Sequence, residues 1–367
     1  MKFNLHWWFG LKPKIATEPL KYDYTISVVI PAYNEEKSID RTIYSVISQT
    51  AKIDEIIVVD DCSTDRTGDV AKKAAEITGK NNVTIVKTPK NMGTKARAQN
   101  YVLPLIKTDL FVTIDADTIL HPEAIKRTLP YFNDERTGSV CGFVIPQKIE
   151  TVWEKGRFIE YLYGITIMKA AQNNVNAVLV SSGCFSIFKT DIVRNLGGFK
   201  SRSMAEDMDL TWEMHFNSYR VYCAPDAYCY PLDPPTFHVF VNQVLRWYSS
   251  FFQNISIHKK ELLKNKLGIF IYGYLFDAML SPVILIAGLT ALTGNVLYAI
   301  PLSFVIDLII VSIPCFFKAI RIGMCKKTAK SLLVYPIIRF VNLYVFWRAF
   351  WNEWIVRKRL TSWDKGH

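Results

Sequence analysis

The chain has 367 residues, 50% of them hydrophobic and 13% aromatic, and 44 Lys and Arg against 33 Asp and Glu give a formal net charge of +11. A mean hydropathy of +0.12 is apolar for a soluble enzyme of this length, which excludes a globular core as the only user of that apolarity. No basic stripe with interleaved aromatics appears in the soluble part, so nucleic acid is excluded as the partner and membrane headgroups account better for the charge.

In chain order, residues 1–25 read as a tail, either disordered or resting at a membrane interface through Trp7 and Trp8. The opening MKFNLHWWFGLKPK has no apolar run long enough for a secretory signal. From Ile26 to about Ile145, strand and helix patterns alternate: ISVVIP, a helix near 36–49, EIIVVD, a helix near 66–78, VTIVK, a helix near 94–104, LFVTID, a helix from Pro122, and SVCGFVI. Such alternation predicts an α/β fold with a mostly parallel sheet covered by helices on both faces. Longer helical stretches follow, including WEKGRFIEYLYGITIMKAAQ and PTFHVFVNQVLRWYSSFFQ, and 26–255 is expected to form one domain.

From Leu267 to Phe317 the only formal charges are Asp277 and Asp307. That run suits two spanning helices of about 20 residues each, turning at Thr293-Gly294-Asn295, so 256–317 reads as a basic linker and a transmembrane hairpin. Lys259, Lys260, Lys264 and Lys266 precede it and Lys318, Arg321, Lys326, Lys327 and Lys330 follow it. The positive-inside rule places both flanks in the cytoplasm, with the protein a multi-pass component of the cell membrane. Residues 318–367 read as a basic loop and a C-terminal membrane-associated or re-entrant helix, because Pro336, Arg339, Asn342 and Arg348 interrupt its apolar run. Arg339 and Arg348 are nine residues apart, nearly opposite on a straight helix, which this placement does not explain. The cysteines, seven in all, form no Cys-x-x-Cys pair and no Cys/His metal spacing, and are expected to stay reduced, as in a cytoplasmic domain.

The stretch TDLFVTIDADTILHP puts Asp115 and Asp117 at the carboxyl end of a short strand. Ligands of open α/β sheets bind at that end, and two hard oxygen donors can hold a divalent cation. An Asx turn capping the next helix is the alternative. Two further strand ends are polar: ISVVIPAYNEE stops at Pro31, Ala32 and Tyr33, before Glu35 and Glu36, and EIIVVDDCSTDRT stops at Asp60 and Asp61. Three strands delivering such groups to one edge make a nucleotide site more economical than three separate turns. NMGTK lacks the spacing of a P-loop or a dinucleotide fingerprint, so kinase and dehydrogenase readings lose support.

The stretches VVIPAYNEE, VVDDCSTDRT, NMGTKARAQN, IDADT, SSGCFSIFK, LGGF, AEDMDL and QVLRW together resemble inverting glycosyltransferase family 2, from about Ile26 to Trp247. The resemblance implies a GT-A, Rossmann-like nucleotide-sugar domain followed by C-terminal transmembrane helices. It further implies that Pro31, Ala32, Tyr33, Glu35 and Asp61 seat the nucleoside, with Asp60 nearby, and that Lys95 and Arg97 lie near the donor. Asp115, with Ala116, would hold the ribose, and Asp115 and Asp117 a Mg or Mn ion on the diphosphate, Asp117 more directly. A carboxylate-held cation stabilises the leaving diphosphate as a Lewis acid.

By the same resemblance Asp207, beside Glu206, is the catalytic base, although helix capping is the alternative for an acidic helix start. Gln243, Arg246 and Trp247 match the Gln-x-x-Arg-Trp signature of cellulose, chitin and hyaluronan synthases and ceramide glucosyltransferases. Helical spacing puts the three on one face, where an arginine suits a diphosphate and an indole an acceptor sugar; an amphipathic interface helix is the alternative. The expected activity is transfer from a nucleotide sugar, a UDP-sugar, to a growing polysaccharide or oligosaccharide at the cytoplasmic face. The other expectations are a single transfer to a lipid acceptor, polyprenyl phosphate or ceramide-like, and a non-catalytic nucleotide-sugar sensor or scaffold. Two or three membrane segments are fewer than large polymer synthases have, which points to a lipid acceptor or to a homo-oligomer.

Overall fold

The computed structural model describes residues 16, 18–78 and 82–361, so most of the expected interfacial tail, Trp7 and Trp8 included, lies outside the described residues. Two compact units are present, one drawn from 15–147 and 180–232, the other from 148–179 and 233 onward. The span 26–255, expected as one domain, thus contributes to both.

The first unit is built on strands β1 (Ile26–Ala32), β2 (Glu55–Asp60), β3 (Val83–Lys87), β4 (Leu110–Ile114), β5 (Ile119–Leu120), β6 (Thr137–Val144), β7 (Phe185–Lys189) and β8 (Arg220–Tyr230). They form one sheet in the order β3-β2-β1-β4-β7-β6-β8-β5. β1, β2 and β4 are runs of apolar, largely β-branched residues buried on both faces, as central strands between helices are. Parallel pairing of Ala32 with Asp60, and of Val29 with Thr113, brings the carboxyl ends of these three strands to one edge.

The sheet is mixed rather than mostly parallel. β7 pairs antiparallel with both β4 and β6, β5 antiparallel with β8, and β6 parallel with β8. The chain leaves β6 and re-enters at β7 on the same edge, like a long hairpin, so no crossover reverses its direction into a parallel pair. Pairing of Ile114 with Phe185 then sets the loop before β7, Ser181 to Cys184, beside the end of β4. Local periodicity carries no trace of that placement.

In the second unit the helix Val152–Tyr163 opens on a capping box between Thr151 and Glu154 and continues through a π-helical stretch, Gly164–Lys169. It packs with Phe237–Ile257 and Tyr335–Phe350: Phe240, Val241, Val244, Ile338 and Val345 form a buried cluster flanked by Val152 and Trp153. Helices Lys266–Thr293 and Val296–Arg321 meet at the expected turn, where Gly294 ends the first at φ +69 and the Asn295 side chain caps the second, accepting from Leu297 N at 2.8 Å.

By length and composition Val296–Arg321 is, among the described residues, one helix able to cross a membrane. Lys266–Leu280 with Pro282–Thr293, and Cys325–Leu332 with Tyr335–Ile355, qualify only as pairs bent by 46° and 59°. Pro282 accounts for the first bend. Arg339 turns inward, donating to Asp307 at 2.9 and 3.3 Å, and Tyr335 donates its hydroxyl to the same carboxylate at 3.0 Å. Arg348 faces outward. The two arginines therefore lie on opposite sides because one is an internal counter-ion.

Candidate active site

Two loops at the carboxyl edge interlock. After β1, Asn34 donates its N–H to Ser63 Oγ at 3.1 Å and accepts from Thr64 N at 2.9 Å, while Glu35 N donates to Thr67 Oγ1 at 2.7 Å. Asn34 and Cys62 hold left-handed φ values of +56° and +58°, strain of the kind that persists where surrounding bonds over-determine it. Asp60 accepts from Ser63 N at 2.9 Å, and a Cβ on Gly68 would lie 2.9 Å from its other oxygen.

Asp61 is buried, donates its N–H to the Ala32 carbonyl and accepts from Thr88 Oγ1 and Met92 N, both at 2.9 Å, drawing the loop after β3 to the same edge. Pro31 lies in register with Val59. Tyr33 is 44% exposed, a ring open to a stacking partner. Glu35 is buried and accepts from Ser38 Oγ at 2.9 Å.

Beyond β4 the chain turns through Asp115, Ala116 and Asp117. The Ala116 carbonyl accepts from Thr42 Oγ1 at 2.8 Å, and that of Asp117 from Gln147 Nε2 at 2.6 Å. Lys95, at the start of the helix Lys95–Val102, reaches this turn and donates to Asp115 Oδ1 at 2.5 Å and to the Gly183 carbonyl at 2.7 Å. The Gly183 N–H donates to Asp207 Oδ2 at 2.8 Å. Asp115, Lys95, Gly183 and Asp207 are thus joined by consecutive short hydrogen bonds. A Cβ on Gly183 would lie 3.1 Å from Asp207 Oδ2 and 3.3 Å from Lys95 Nζ, so only glycine fits without displacing one of them. Burial alone would depress the Lys95 ammonium, but Asp115, Glu206 and Asp207 outweigh it and hold the pKa above the ordinary lysine value. Arg97, two residues on, is exposed.

The helix Glu206–Phe216 presents three acids in its first turn. Asp209 is fully buried and gripped by Arg202 through two hydrogen bonds of 2.8 and 2.9 Å, so it is a structural acid. Glu206 and Asp207 face Lys95 electrostatically. An acidic first turn suits the helix dipole, and Asp207 Oδ1 also accepts from Met208 N at 2.8 Å, but the N-cap, Ala205, has no side-chain cap bond, and neither feature explains the bond to Gly183.

Among the described residues no three His, Cys, Asp or Glu side chains converge as a ready-made metal cage. The donor chemistry nonetheless fits Mg or Mn: Asp115 and Asp117 are hard oxygen donors at one turn, and Asp115 already carries a cation, the Lys95 ammonium. Such ions are commonly held by one or two carboxylates plus substrate phosphates.

In the second unit, Gln243 Oε1 accepts from Arg157 Nη2 at 2.9 Å, and the Trp247 ring lies beneath the Arg157 guanidinium, 4.3 Å from ring centroid to carbon. Sequence reasoning singled out neither Arg157 nor the individual role of Gly183. Arg157 does not stand out among the four charged residues of VWEKGRFIEYLY, while for Gly183 the signal was its place within SSGCF.

Residues 27–197 match the profile of the family described as Glycosyl transferase family 2. A poly-beta-1,6-N-acetyl-D-glucosamine synthase of Staphylococcus aureus (strain COL) is 30% identical over 237 residues, 64% of this chain and 56% of that protein. The chain therefore spans little more than half the length of such relatives. A hyaluronan synthase of Streptococcus pyogenes is 28% identical over 353 residues, 89% of this chain and 81% of that one. Among solved structures, a mannosyltransferase of Pyrobaculum calidifontis in complex with GDP-Man and Mn2+ superposes with a TM-score of 0.64, at 20% identity, over 90% of this chain and 92% of that one. At that identity the likeness is one of fold: α/β and GT-A-like, around a mixed sheet.

Proposed function

We propose that the chain, whose residues 27–197 match the profile described as Glycosyl transferase family 2, moves a sugar from a UDP-sugar to a growing polysaccharide or oligosaccharide, with inversion, at the cytoplasmic face of the cell membrane. The observation that carries the proposal is the hydrogen-bonded series Asp115, Lys95, Gly183 and Asp207 at the carboxyl edge of the sheet.

In this reading the acceptor hydroxyl attacks the anomeric carbon as the bond from that carbon to the diphosphate breaks. The bonding pair leaves with the nucleoside diphosphate, and the hydroxyl proton passes to Asp207, with Glu206 beside it. Lys95, bonded to Asp115 and to the Gly183 carbonyl, would stabilise the negative charge that develops on the diphosphate. Asp115 and Asp117 would hold a Mg or Mn ion, which supplies Lewis-acid neutralisation of the diphosphate. Pro31, Ala32, Tyr33, Glu35, Asp60, Asp61 and Ala116 seat the nucleoside, and Gln243, Arg246 and Trp247 serve the acceptor and the diphosphate.

The polymeric acceptor is favoured by the relatives named as synthases of poly-N-acetylglucosamine and hyaluronan. Membrane spanning is supported by the apolar helix Val296–Arg321 and the two bent pairs. A second reading, single transfer to a lipid, draws on the same observation, because among the described residues at most three segments are long and apolar enough to span. Membranes containing the full chain, incubated with a panel of radiolabelled nucleotide sugars and extracted into lipid-soluble and polymeric fractions, separate the two readings. Label in the polymer is the expected result, label confined to lipid selects the second reading, and no Asp207-dependent label in either overturns both.

A further inference from the structure

The helix Val152–Tyr163 buries one arginine. The Arg157 side chain is 3% exposed, and a guanidinium cannot shed its charge, so it needs partners on every side. Glu160 accepts from Nη1 at 2.7 Å, Gln243 from Nη2 at 2.9 Å, and the Asp233 carboxylate lies 3.7 Å from Nε. Tyr161 donates its hydroxyl to Asp233 at 2.9 Å, which steadies that partner. The guanidinium also stacks on Phe240 and Trp247, 4.6 and 4.3 Å from their ring centroids. Two residues of the Gln-x-x-Arg-Trp segment are therefore engaged by one side chain from another helix, while Trp247 remains partly exposed.

A guanidinium does here what an ammonium cannot. Its fork donates to two acceptors at fixed angles while its flat face covers an indole, so a single group sets both the Gln243 amide and the Trp247 ring plane. We propose that Arg157 is the positioning residue of the Gln-x-x-Arg-Trp segment, holding the Trp247 indole so that its remaining surface receives the acceptor sugar. This rests on the glycosyltransferase reading above. An aromatic platform for a sugar is useful only at one tilt, and a half-exposed indole on a 21-residue helix has no such restraint from its own backbone.

The test uses the full-length protein in membranes with Arg157→Met, Arg157→Lys, Gln243→Leu and Trp247→Ala, and donor and acceptor titrated separately. Arg157→Met is expected to raise the acceptor KM tenfold or more, leave the donor KM within twofold, and add less than twofold to the defect of Trp247→Ala. Arg157→Lys should not rescue, because it keeps the charge and loses the fork and the flat face. Gln243→Leu keeps Arg157 itself and covers the case in which Arg157→Met does not fold; it is expected to shift the acceptor KM in the same direction. Independent multiplication of the Arg157 and Trp247 defects, recovery by lysine, or an unchanged acceptor KM would overturn the proposal.

A readout independent of turnover separates this proposal from the reading on which it rests. In protein labelled with 5-fluorotryptophan, the Trp247 resonance is the one missing from Trp247→Phe, and it should move in Arg157→Met and Arg157→Lys. A wild-type enzyme without transfer, together with a moved resonance, refutes the glycosyltransferase reading and leaves the positioning in place. An unmoved resonance refutes the positioning whatever the activity.

Discussion

Replacing Asp207 by Asn separates chemistry from folding, because the geometry sets the size of each effect. The carboxylate accepts two backbone N–H groups at 2.8 Å, from Gly183 and Met208. An asparagine has one carbonyl oxygen, so one of those donors loses its acceptor, at a cost of about 1 kcal/mol. Loss of a negative charge in the first helical turn adds about 0.5 kcal/mol. Against a folding free energy of about 5–15 kcal/mol, this leaves the protein folded. Removing a general base slows proton-coupled attack by a factor of about 100–10,000. Asp209 cannot substitute, since Arg202 holds it in place. Donor affinity by calorimetry, single-turnover transfer and a thermal melt on one preparation of Asp207→Asn should give, respectively, near-normal binding, a loss of at least about a hundredfold, and a small shift. Unchanged transfer, or a larger loss in Glu206→Gln, would refute the assignment of the base.

Asp117→Asn should weaken metal-dependent donor binding and abolish transfer at normal expression, whereas an Asx turn tolerates asparagine, so full activity would remove the metal assignment. Gly183→Ala should keep the fold but lower transfer about tenfold, because a Cβ at 3.1 Å from Asp207 and 3.3 Å from Lys95 moves one or both; unaltered kinetics would show that their spacing is not critical. Arg202→Ala should destabilise the protein by about 2 kcal/mol, read as a lowered melting temperature, because buried Asp209 loses two charge-assisted bonds. Asn295→Cys should react with an impermeant thiol reagent in intact cells and exposed native Cys325 only after permeabilisation, mapped by mass spectrometry; the reverse pattern would invert the topology.

What was legible in the sequence was what local chemistry writes there. Runs such as ISVVIPA and EIIVVD end where their β-branched residues end, and Asp115 and Asp117 follow β4 as the apolar run predicts. Gly294 and Asn295 form the expected turn because one favours a left-handed φ and the other caps a helix. The rest depended on what lies beside what. No local pattern says that β7 returns next to β4, yet that pairing brings Gly183 to Asp115. Three acids in AEDMDL look alike on paper, and only the grip of the Arg202 guanidinium, seven residues upstream, marks Asp209 as structural. Arg157 reads as one of four charges in a mixed helical stretch, beside Glu154, Lys155 and Glu160, until Gln243 and Trp247 are seen to close on it.

The pair between Asp307 and Arg339 has a consequence for how the chain is made. The two residues are 32 positions apart on separate helices, Val296–Arg321 and Tyr335–Phe350, so the aspartate is synthesised before its partner. In a bilayer, an aspartate without that partner would cost about 2.5–3.5 kcal/mol on an insertion scale. Both partners of Asp307, Arg339 and Tyr335, arrive in the same later helix, so the relief comes in one step when that helix docks. A chain cut short before Tyr335 would leave the Asp307 carboxylate without either partner inside the apolar helix Val296–Arg321.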